Sequence, residues 1–246
     1  MIFRRLIFSA LMVGVICGLL LSATQILSVN PIILYAETFE VSGSHSHTSE
    51  NEHSHDVQAE LATNDHRDLY TIYANISAGI GFSAVLLSFM SQFQIMGITR
   101  LTALRGLLWG GAGFITFFVV PAFGIPPDIP GIESAPVEQR QIWWLIAVVC
   151  VGLGLLALAF APLRYKIFGV TAMFFPYLLN IPRHEGPVFT HVDPDVVKTL
   201  TELHQQFIVV SSLNNLLFWL ALGFFSALSI KLWIHGNRSE GTHANI

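Results

Sequence analysis

Long apolar runs separated by short polar segments dominate this sequence. A transmembrane helix takes about 20 mostly apolar residues, and five runs reach that length. They are 6–28, 70–93, 106–125, 142–162 and 207–230. This pattern predicts an all-α fold, a polytopic helical membrane protein in which each run forms one transmembrane helix.

A sixth apolar segment, 167–181, is shorter and contains Pro176. It could be a tilted short span, a re-entrant segment or an interfacial helix. Lys and Arg gather on the cytoplasmic side of membrane proteins, so the basic residues help to decide. With six crossings and a cytoplasmic N-terminus, eight of the 12 basic residues lie inside, whereas five crossings distribute them evenly. We therefore predict five or six transmembrane helices and prefer six.

The first apolar run has an alternative interpretation as a cleavable signal peptide, because Arg4 and Arg5 precede it. The run is longer than the apolar part of a signal peptide, and no clear small-x-small cleavage site follows it. We therefore predict a retained first helix and one integral membrane domain over 1–246. Gly14 and Gly18 have the spacing that lets transmembrane helices approach closely, as do Gly106 and Gly110, so we expect packing roles for them.

Composition supports a membrane location and excludes several classes of protein. Hydrophobic residues make up 53% of the chain and charged residues 11%, against about 25% charged residues in ordinary soluble domains. Cys17 and Cys150 lie inside apolar runs, so neither a disulfide framework nor a thiolate metal site is expected. The sequence contains neither a phosphate-binding Gly-Lys-Ser/Thr loop nor a His-Glu-x-x-His metalloenzyme motif. We predict that the protein is not an enzyme and binds membrane lipid but no nucleic acid.

Residues 41–66 form a polar, His- and acid-rich segment without helical or strand periodicity, and we predict a flexible external loop there. It holds two His-Ser-His copies, formed by His45 and His47 and by His53 and His55. Several imidazoles on one tether can chelate a divalent zinc, copper, nickel or cobalt ion. The loop would concentrate such ions rather than select among them. An inert solvated linker is the alternative.

Acidic and imidazole groups gather on one side of the predicted topology. With six crossings, all acidic residues except Glu240 and all histidines except His235 and His243 lie outside. The external side is therefore predicted to attract cations.

Three further residues are candidate metal ligands. Glu37 and Glu40 follow the first span with i,i+3 spacing, so a continuing helix would place both carboxylates on one face near the mouth of a path. An ordinary acidic membrane boundary explains them equally well. His204 belongs, with His184, to a loose group of imidazole and carboxylate residues in the last external segment, where structural roles are the leading interpretation.

Two other external features predict structure rather than chemistry. The proline-rich segment 126–141 is typical of a stiff turn. Asp193 as N-cap, Pro194 at the first helical position and Asp195 in the first turn predict a helix start. That helix would continue through His204 into the last span.

Several motifs together resemble CbtA, a family of cobalt transporter subunits. They are PIILYAETFE at 31–40, IPPDIPGIESAPVEQRQIWWL at 125–145, FPYLLNIP at 175–182, and a terminal apolar helix with Trp219. The resemblance covers nearly the whole chain. The residues that match recurring family positions are Glu37, Glu40, Pro127, Pro130, Gly131, Arg140, Gln141 and Trp144.

This resemblance implies an inner-membrane protein that takes up cobalt for cobalamin synthesis beside CbtB, a small single-span partner that carries histidines. The family is commonly drawn with five spans. No cofactor would be tightly bound, and divalent cobalt would be the transported ion, with nickel or zinc as alternatives. A membrane scaffold or sensor that binds metal without transporting it is the second class of function that the residues allow.

Overall fold

The computed structural model describes residues 2–44, 56–184 and 186–234, and within them the side chains of 3–39, 66–184 and 186–232. Helices account for nearly all of these residues, and no strand occurs among them. The α-helices are α1 (Ile2–Ser28), α2 (Asn30–Ser44), α3 (Asp56–Ile95), α4 (Ala103–Phe114), α5 (Val120–Gly124), α6 (Val137–Phe160), α7 (Lys166–Leu178) and α8 (Pro194–Ser229). Two π-helical segments, Ile115–Val119 and Ile230–Ile234, follow α4 and α8, and a short 3₁₀ helix, Leu163–Tyr165, precedes α7.

Five stretches of the described chain are long and apolar enough to cross a membrane. They are Phe3–Ser28, His66–Ile95, Ala103–Gly124, Val137–Phe160 and Pro194–Leu232. The predicted all-α, polytopic membrane fold is therefore confirmed.

Helices reach into both ends of the loop predicted at 41–66. α2 continues to Ser44 and α3 begins at Asp56, so the segment between them is 45–55, which lies outside the described residues. Lengthening an existing helix costs far less than nucleating one. A polar stretch without periodicity can therefore be helical where it adjoins a transmembrane helix.

The chain divides into two compact units. Unit 1 comprises Met1–Ile26, Glu50–Gly111 and Asn214–Ile246, and unit 2 comprises Leu27–Ser49 and Ala112–Leu213. In unit 1 the backbones of α1 and α3 touch. A Cβ added to Gly18 would lie 2.6 Å from the Cα of Ile76, and one added to Gly79 would lie 2.5 Å from the carbonyl oxygen of Gly14. The predicted packing role of Gly14 and Gly18 is confirmed.

The second glycine pair has the same function between α4 and α8. A Cβ on Gly106 would lie 2.6 Å from the carbonyl oxygen of Gly223, and one on Gly110 would lie 3.0 Å from the carbonyl carbon of Trp219. Real Cβ atoms essentially never come closer than 3.0 Å to such atoms. Glycine at these positions is therefore what allows the two helices to pack at this distance.

A polar side chain inside unit 1 joins two helices. The amide of Asn75 on α3 donates to the side chains of Ser22, at 3.3 Å, and Gln25, at 2.7 Å, on α1. Ser83 makes a similar link by donating to the carbonyl of Ala10 at 2.6 Å. Such hydrogen bonds satisfy polar groups that would otherwise be costly at membrane depth.

The contacts within unit 1 determine the helix directions. Residues later in α1 contact residues earlier in α3, so these two helices are antiparallel. The contacts between α4 and α8 follow the same order, and this pair is antiparallel as well. α3 and α4 are antiparallel neighbours across a short connection, with Phe93 and Trp109 ring centroids 5.5 Å apart. The start of α1 and the end of α8 therefore lie at the same end of unit 1.

The helix α7 runs back along α6. It packs antiparallel on α6 in unit 2, where a Cβ on Gly154 would lie 2.7 Å from the carbonyl oxygen of Gly169. Farther along, the indole Nε1 of Trp143 donates to the carbonyl of Pro176 at 3.1 Å. α7 thus runs back toward the start of α6.

The chain beyond α7 stays at that end. Phe189 forms an isolated antiparallel bridge with Ile132, which precedes α6. The 13 residues of α7 span only about 20 Å at 1.5 Å per residue, and non-helical residues 179–182 complete the return. The segment predicted at 167–181 is therefore a short helix that returns along α6, and it is not among the five stretches that are long and apolar enough to cross a membrane.

We call residues 125–136 and 179–193 the cap. They lie beside α2 and the first turns of α8, and buried apolar side chains join all of these segments. Gly131 in the cap has a positive φ of 87°, a backbone conformation that favours glycine. The buried apolar cluster consists of Val29, Ile32, Ala36, Ile129, Phe189, Leu200 and Phe207.

The start of α8 agrees with the prediction from its capping residues. α8 begins at Pro194, and the backbone N–H of Asp195 donates to Oδ1 of Asp193 at 2.9 Å. The helix continues without interruption through His204 to Ser229.

Candidate functional site

The predicted metal-binding loop falls between α2 and α3. His45, His47, His53 and His55 lie outside the described residues. Their role as metal ligands stays a prediction.

The two candidate carboxylates lie on α2. The first helix does not continue into them, because α1 ends at Ser28 and α2 begins at Asn30. Pro31 accounts for the break, since proline has no N–H to donate to the carbonyl one turn earlier and favours the first turn of a new helix. Glu37 is half-buried and its side chain is engaged within the structure. Glu40 follows three residues later on the same helix, and its side chain lies outside the described set.

His204 is held by the cap. Its Nε2 lies 3.1 Å from the carbonyl oxygen of Pro127, and its ring meets the ring of Phe189 edge to face at 6.3 Å between centroids. A carbonyl oxygen can only accept, so Nε2 donates the hydrogen bond. The predicted role of His204 as a metal ligand would need its other nitrogen.

No preformed metal centre is found in 2–44, 56–184 and 186–234. None of the described His, Cys, Asp and Glu residues forms a group of three or more that could hold an ion. The described part of the chain can therefore supply fewer than three such ligands to an ion at any one point.

Unit 2 contains a cavity of about 680 Å³ between the cap and its helices. Charged and imidazole side chains line one part of it, and aromatic and aliphatic side chains line the rest. A concave site with a few polar groups among apolar walls is typical of small-ligand binding sites. The polar lining residues are Asp128, Glu133, Ser134, Arg140, Arg183, His184, His204 and Ser212.

An ion pair holds the cap segment 125–136 to the start of α6. Arg140 Nη2 lies 2.7 Å from Asp128 Oδ2, and both side chains are about three-quarters buried. Ser134 donates to the same oxygen of Asp128 at 2.6 Å. Because the carboxylate receives two hydrogen bonds in a partly desolvated place, the contact is stronger than an exposed surface pair. The shape of the cavity depends on it.

Glu133 connects the two cap segments. Its Oε2 lies 3.1 Å from Nε2 of His184, and its Oε1 accepts a hydrogen bond from the hydroxyl of Thr190 at 3.1 Å. The bridge between Ile132 and Phe189 lies directly beside these contacts. The carboxylate is therefore oriented at both oxygens.

The π-helical segment Ile115–Val119 contributes Phe118 and Val119 to the cavity wall. Pro121 follows it and has no N–H to offer the carbonyl one turn earlier, so the helix cannot continue there with regular hydrogen bonds. The Tyr177 hydroxyl of α7 donates to the carbonyl of Val120. π-helical segments of this kind are frequent at functional sites.

Sequence reasoning missed most of this site. The segment 126–141 was expected to be purely structural, but Asp128, Glu133 and Arg140 all line the cavity. Arg140 matched a recurring family position, which was the available signal. The pairing of Glu133 with His184 depends on how the cap folds, and no local sequence pattern predicts it.

Comparison with known proteins identifies the family. The model of the CbtA family, described as a probable cobalt transporter subunit, matches residues 3–231. No curated protein and no solved structure matches the chain. Because the match covers nearly the whole chain and the fold is a multi-pass helical membrane protein, the chain belongs to the CbtA family of probable cobalt transporter subunits.

Proposed function

We propose that this protein is the membrane component through which divalent cobalt enters the cell, and that the cobalt supplies cobalamin synthesis. The family description over residues 3–231 carries the proposal. The polar cavity of unit 2 supports it, because imidazole and carboxylate groups are ligands for divalent transition metals. Cobalt is the cargo and not a resident cofactor. The role is transport, and no catalysis is assigned.

The proposed orientation has the N-terminus in the cytoplasm of a cell with an inner membrane, and the His-rich loop and the cap outside. The helix directions in unit 1 bring its basic residues together. Only Arg67 among the described basic residues of unit 1 belongs to the other end. Lys and Arg mark the cytoplasmic side. The residues at the cytoplasmic end are Arg4, Arg5, Arg100, Arg105 and Lys231.

The membrane potential is a sufficient driving force for such an importer. An inside-negative potential of 100 mV favours inward movement by about 2.3 kcal/mol per charge, which is about 4.6 kcal/mol for a divalent cation. No nucleotide hydrolysis by this chain is required.

The family description, which names a subunit, implies a partner in the transporter. We propose a small, single-span membrane protein with histidines, of the CbtB kind. Lipid would surround the exposed apolar faces of both.

The test is uptake of radioactive cobalt into proteoliposomes that contain the purified protein, with and without the small partner. An inside-negative potential is set with a potassium gradient and valinomycin. We expect time-dependent internal cobalt that rises with the potential and is released by an ionophore. Binding that saturates at once and resists the ionophore would mean a metal-binding scaffold and would refute transport.

Competition between metal ions identifies the transported ion. Nickel or zinc is added in excess while the initial rate of cobalt uptake is measured. If cobalt is the cargo, unlabelled cobalt inhibits at lower concentration than nickel or zinc. Stronger inhibition by either competitor would contradict the assignment of cobalt.

A further inference from the structure

An imidazole and a carboxylate meet at the cavity of unit 2. His184 belongs to the loose group of imidazole and carboxylate residues in the last external segment, whereas Glu133 lies in the turn for which no chemistry is predicted. Both line the cavity, and their side chains are 34% and 50% exposed, so solvent reaches both. We propose that His184 and Glu133 together capture a divalent transition-metal ion from solution. This inference rests on the proposed function, because it concerns the same cation.

The distance between the two groups suits an octahedral ion. Imidazole nitrogen and carboxylate oxygen bind zinc at about 2.1 Å, and ligands at that distance on adjacent corners of an octahedron lie about 3.0 Å apart. Nε2 of His184 and Oε2 of Glu133 are 3.1 Å apart. An ion at about 2.1 Å from both atoms would lie about 45° off the line that joins them, so both side chains must rotate to direct their lone pairs at it.

The surroundings hold the pair in place. Thr190 donates to Oε1 of Glu133 at 3.1 Å, which leaves Oε2 directed to His184. The bridge between Ile132 and Phe189 fixes the backbone beside Glu133. The imidazole folds over Gly186, where a Cβ would lie 2.6 Å from Nε2. A side chain at position 186 would push the imidazole away from this position.

The proton balance of the binding step is simple. In the absence of an ion, Nε2 of His184 donates its hydrogen bond to Glu133. Coordination needs the Nε2 lone pair, so the proton must reside on Nδ1, the other neutral tautomer. No net proton is released, and the carboxylate neutralises one of the two positive charges of the ion.

Two protein ligands leave four octahedral positions for water. A hexahydrated ion occupies on the order of 200 Å³, taking about 30 Å³ for each water, and the cavity measures about 680 Å³. A site that removes only part of the hydration shell holds the ion weakly enough to pass it on, as conduction requires. The pair is suited to capture and release rather than to storage.

The test uses full-length protein in detergent in which the four histidines of the two His-Ser-His copies are replaced by Ala, so that the loop does not dominate the signal. Cobalt is titrated by calorimetry and by its visible absorption. We expect His184→Ala and Glu133→Gln each to weaken binding about tenfold or more, a typical loss for a perturbed metal site. The double variant should be no weaker than the worse single variant, because one missing ligand already abolishes the paired site.

Matched controls lie close by. His191→Ala removes an imidazole from the same segment whose Nδ1 accepts the backbone N–H of Asp193. Glu138→Gln removes an exposed carboxylate from the first turn of α6. Neither residue lines the cavity, and both variants should bind cobalt like their parent.

Unchanged cobalt binding in both His184→Ala and Glu133→Gln would overturn the capture site, and a lowered melting temperature with unchanged binding would show that the pair only ties the cap together. The proposed function fails by a different result, namely the absence of cobalt uptake by the wild-type protein. If the wild type transports cobalt and the two variants keep its half-saturating concentration, only the capture site is refuted.

Discussion

Replacing Gly79 by Ala tests the contact between α1 and α3 directly. The new methyl group would lie 2.5 Å from the carbonyl oxygen of Gly14 and 3.3 Å from the backbone nitrogen of Gly18. Ordinary contacts begin at 3.4 Å, so the helices must separate locally by roughly the 0.9 Å between 2.5 and 3.4 Å. Both crowded partners are backbone atoms and cannot rotate away. Overpacking of this kind costs about 1–3 kcal/mol.

Gly81 offers a matched control two residues along the same helix. A Cβ there would meet nothing within 4 Å. Both substitutions raise helix propensity and restrict the unfolded chain to the same extent, so the difference between them isolates the packing. The assay is the melting temperature of each purified variant in the same detergent. At about 2–4 °C per kcal/mol for a chain of this size, Gly79→Ala should melt about 2–12 °C below Gly81→Ala.

Equal melting temperatures for the two variants would refute this reasoning. They would mean that the backbones of α1 and α3 are not in close contact at Gly79. A lower melting temperature for Gly81→Ala would contradict it more strongly, because that site has room for a methyl group.

Three further tests concern other parts of the structure. Trp143→Phe removes the donor to the Pro176 carbonyl and should lower the free energy of unfolding by about 1–3 kcal/mol. The control Trp144→Phe makes the same change at a half-buried position and should lower it less. Melting curves measure both losses, and equal losses would argue against the Trp143 hydrogen bond. Replacing the four histidines of the two His-Ser-His copies by Ala should lower cobalt uptake when the ion is scarce and spare it when abundant, and loss at every concentration would contradict a concentrating role. Glu37→Gln should lower the uptake rate at all cobalt concentrations if this carboxylate lies on the path, and a wild-type rate would remove it from the path.

Local sequence signals predicted those features that depend on neighbouring residues in the chain. The apolar runs located the five long helices, because a membrane span must satisfy its backbone hydrogen bonds within one helix. The capping residues Asp193 and Pro194 located the start of α8 for the same local reason. Gly14 and Gly18 were recognisable as packing residues because their spacing places both on one helix face.

Local sequence signals could not predict the features that depend on the tertiary fold. The segment that forms α7 is too short for a length criterion and was preferred as a crossing only from the count of basic residues, whereas its antiparallel packing on α6 became apparent only from the structure. Glu133 and His184 are brought together by the bridge between the two cap segments, and neither residue has a distinctive local context. The apolar run 6–28 predicted the end of α1 at Ser28, but the continuing helix considered for Glu37 and Glu40 is a separate helix, α2, and Pro31 is the physical cause of the break.

The shared end of α1 and α8 in unit 1 has a practical consequence for experiments on the transporter. Since α1 starts and α8 ends at the same end of unit 1, we expect reporters inserted beside Phe3 and beside Leu232 to detect the same compartment. A topology reporter that matures only outside the cytoplasm should therefore give the same result at both positions, either active at both or inactive at both. Split reporters attached to the two ends could in turn reconstitute within one molecule.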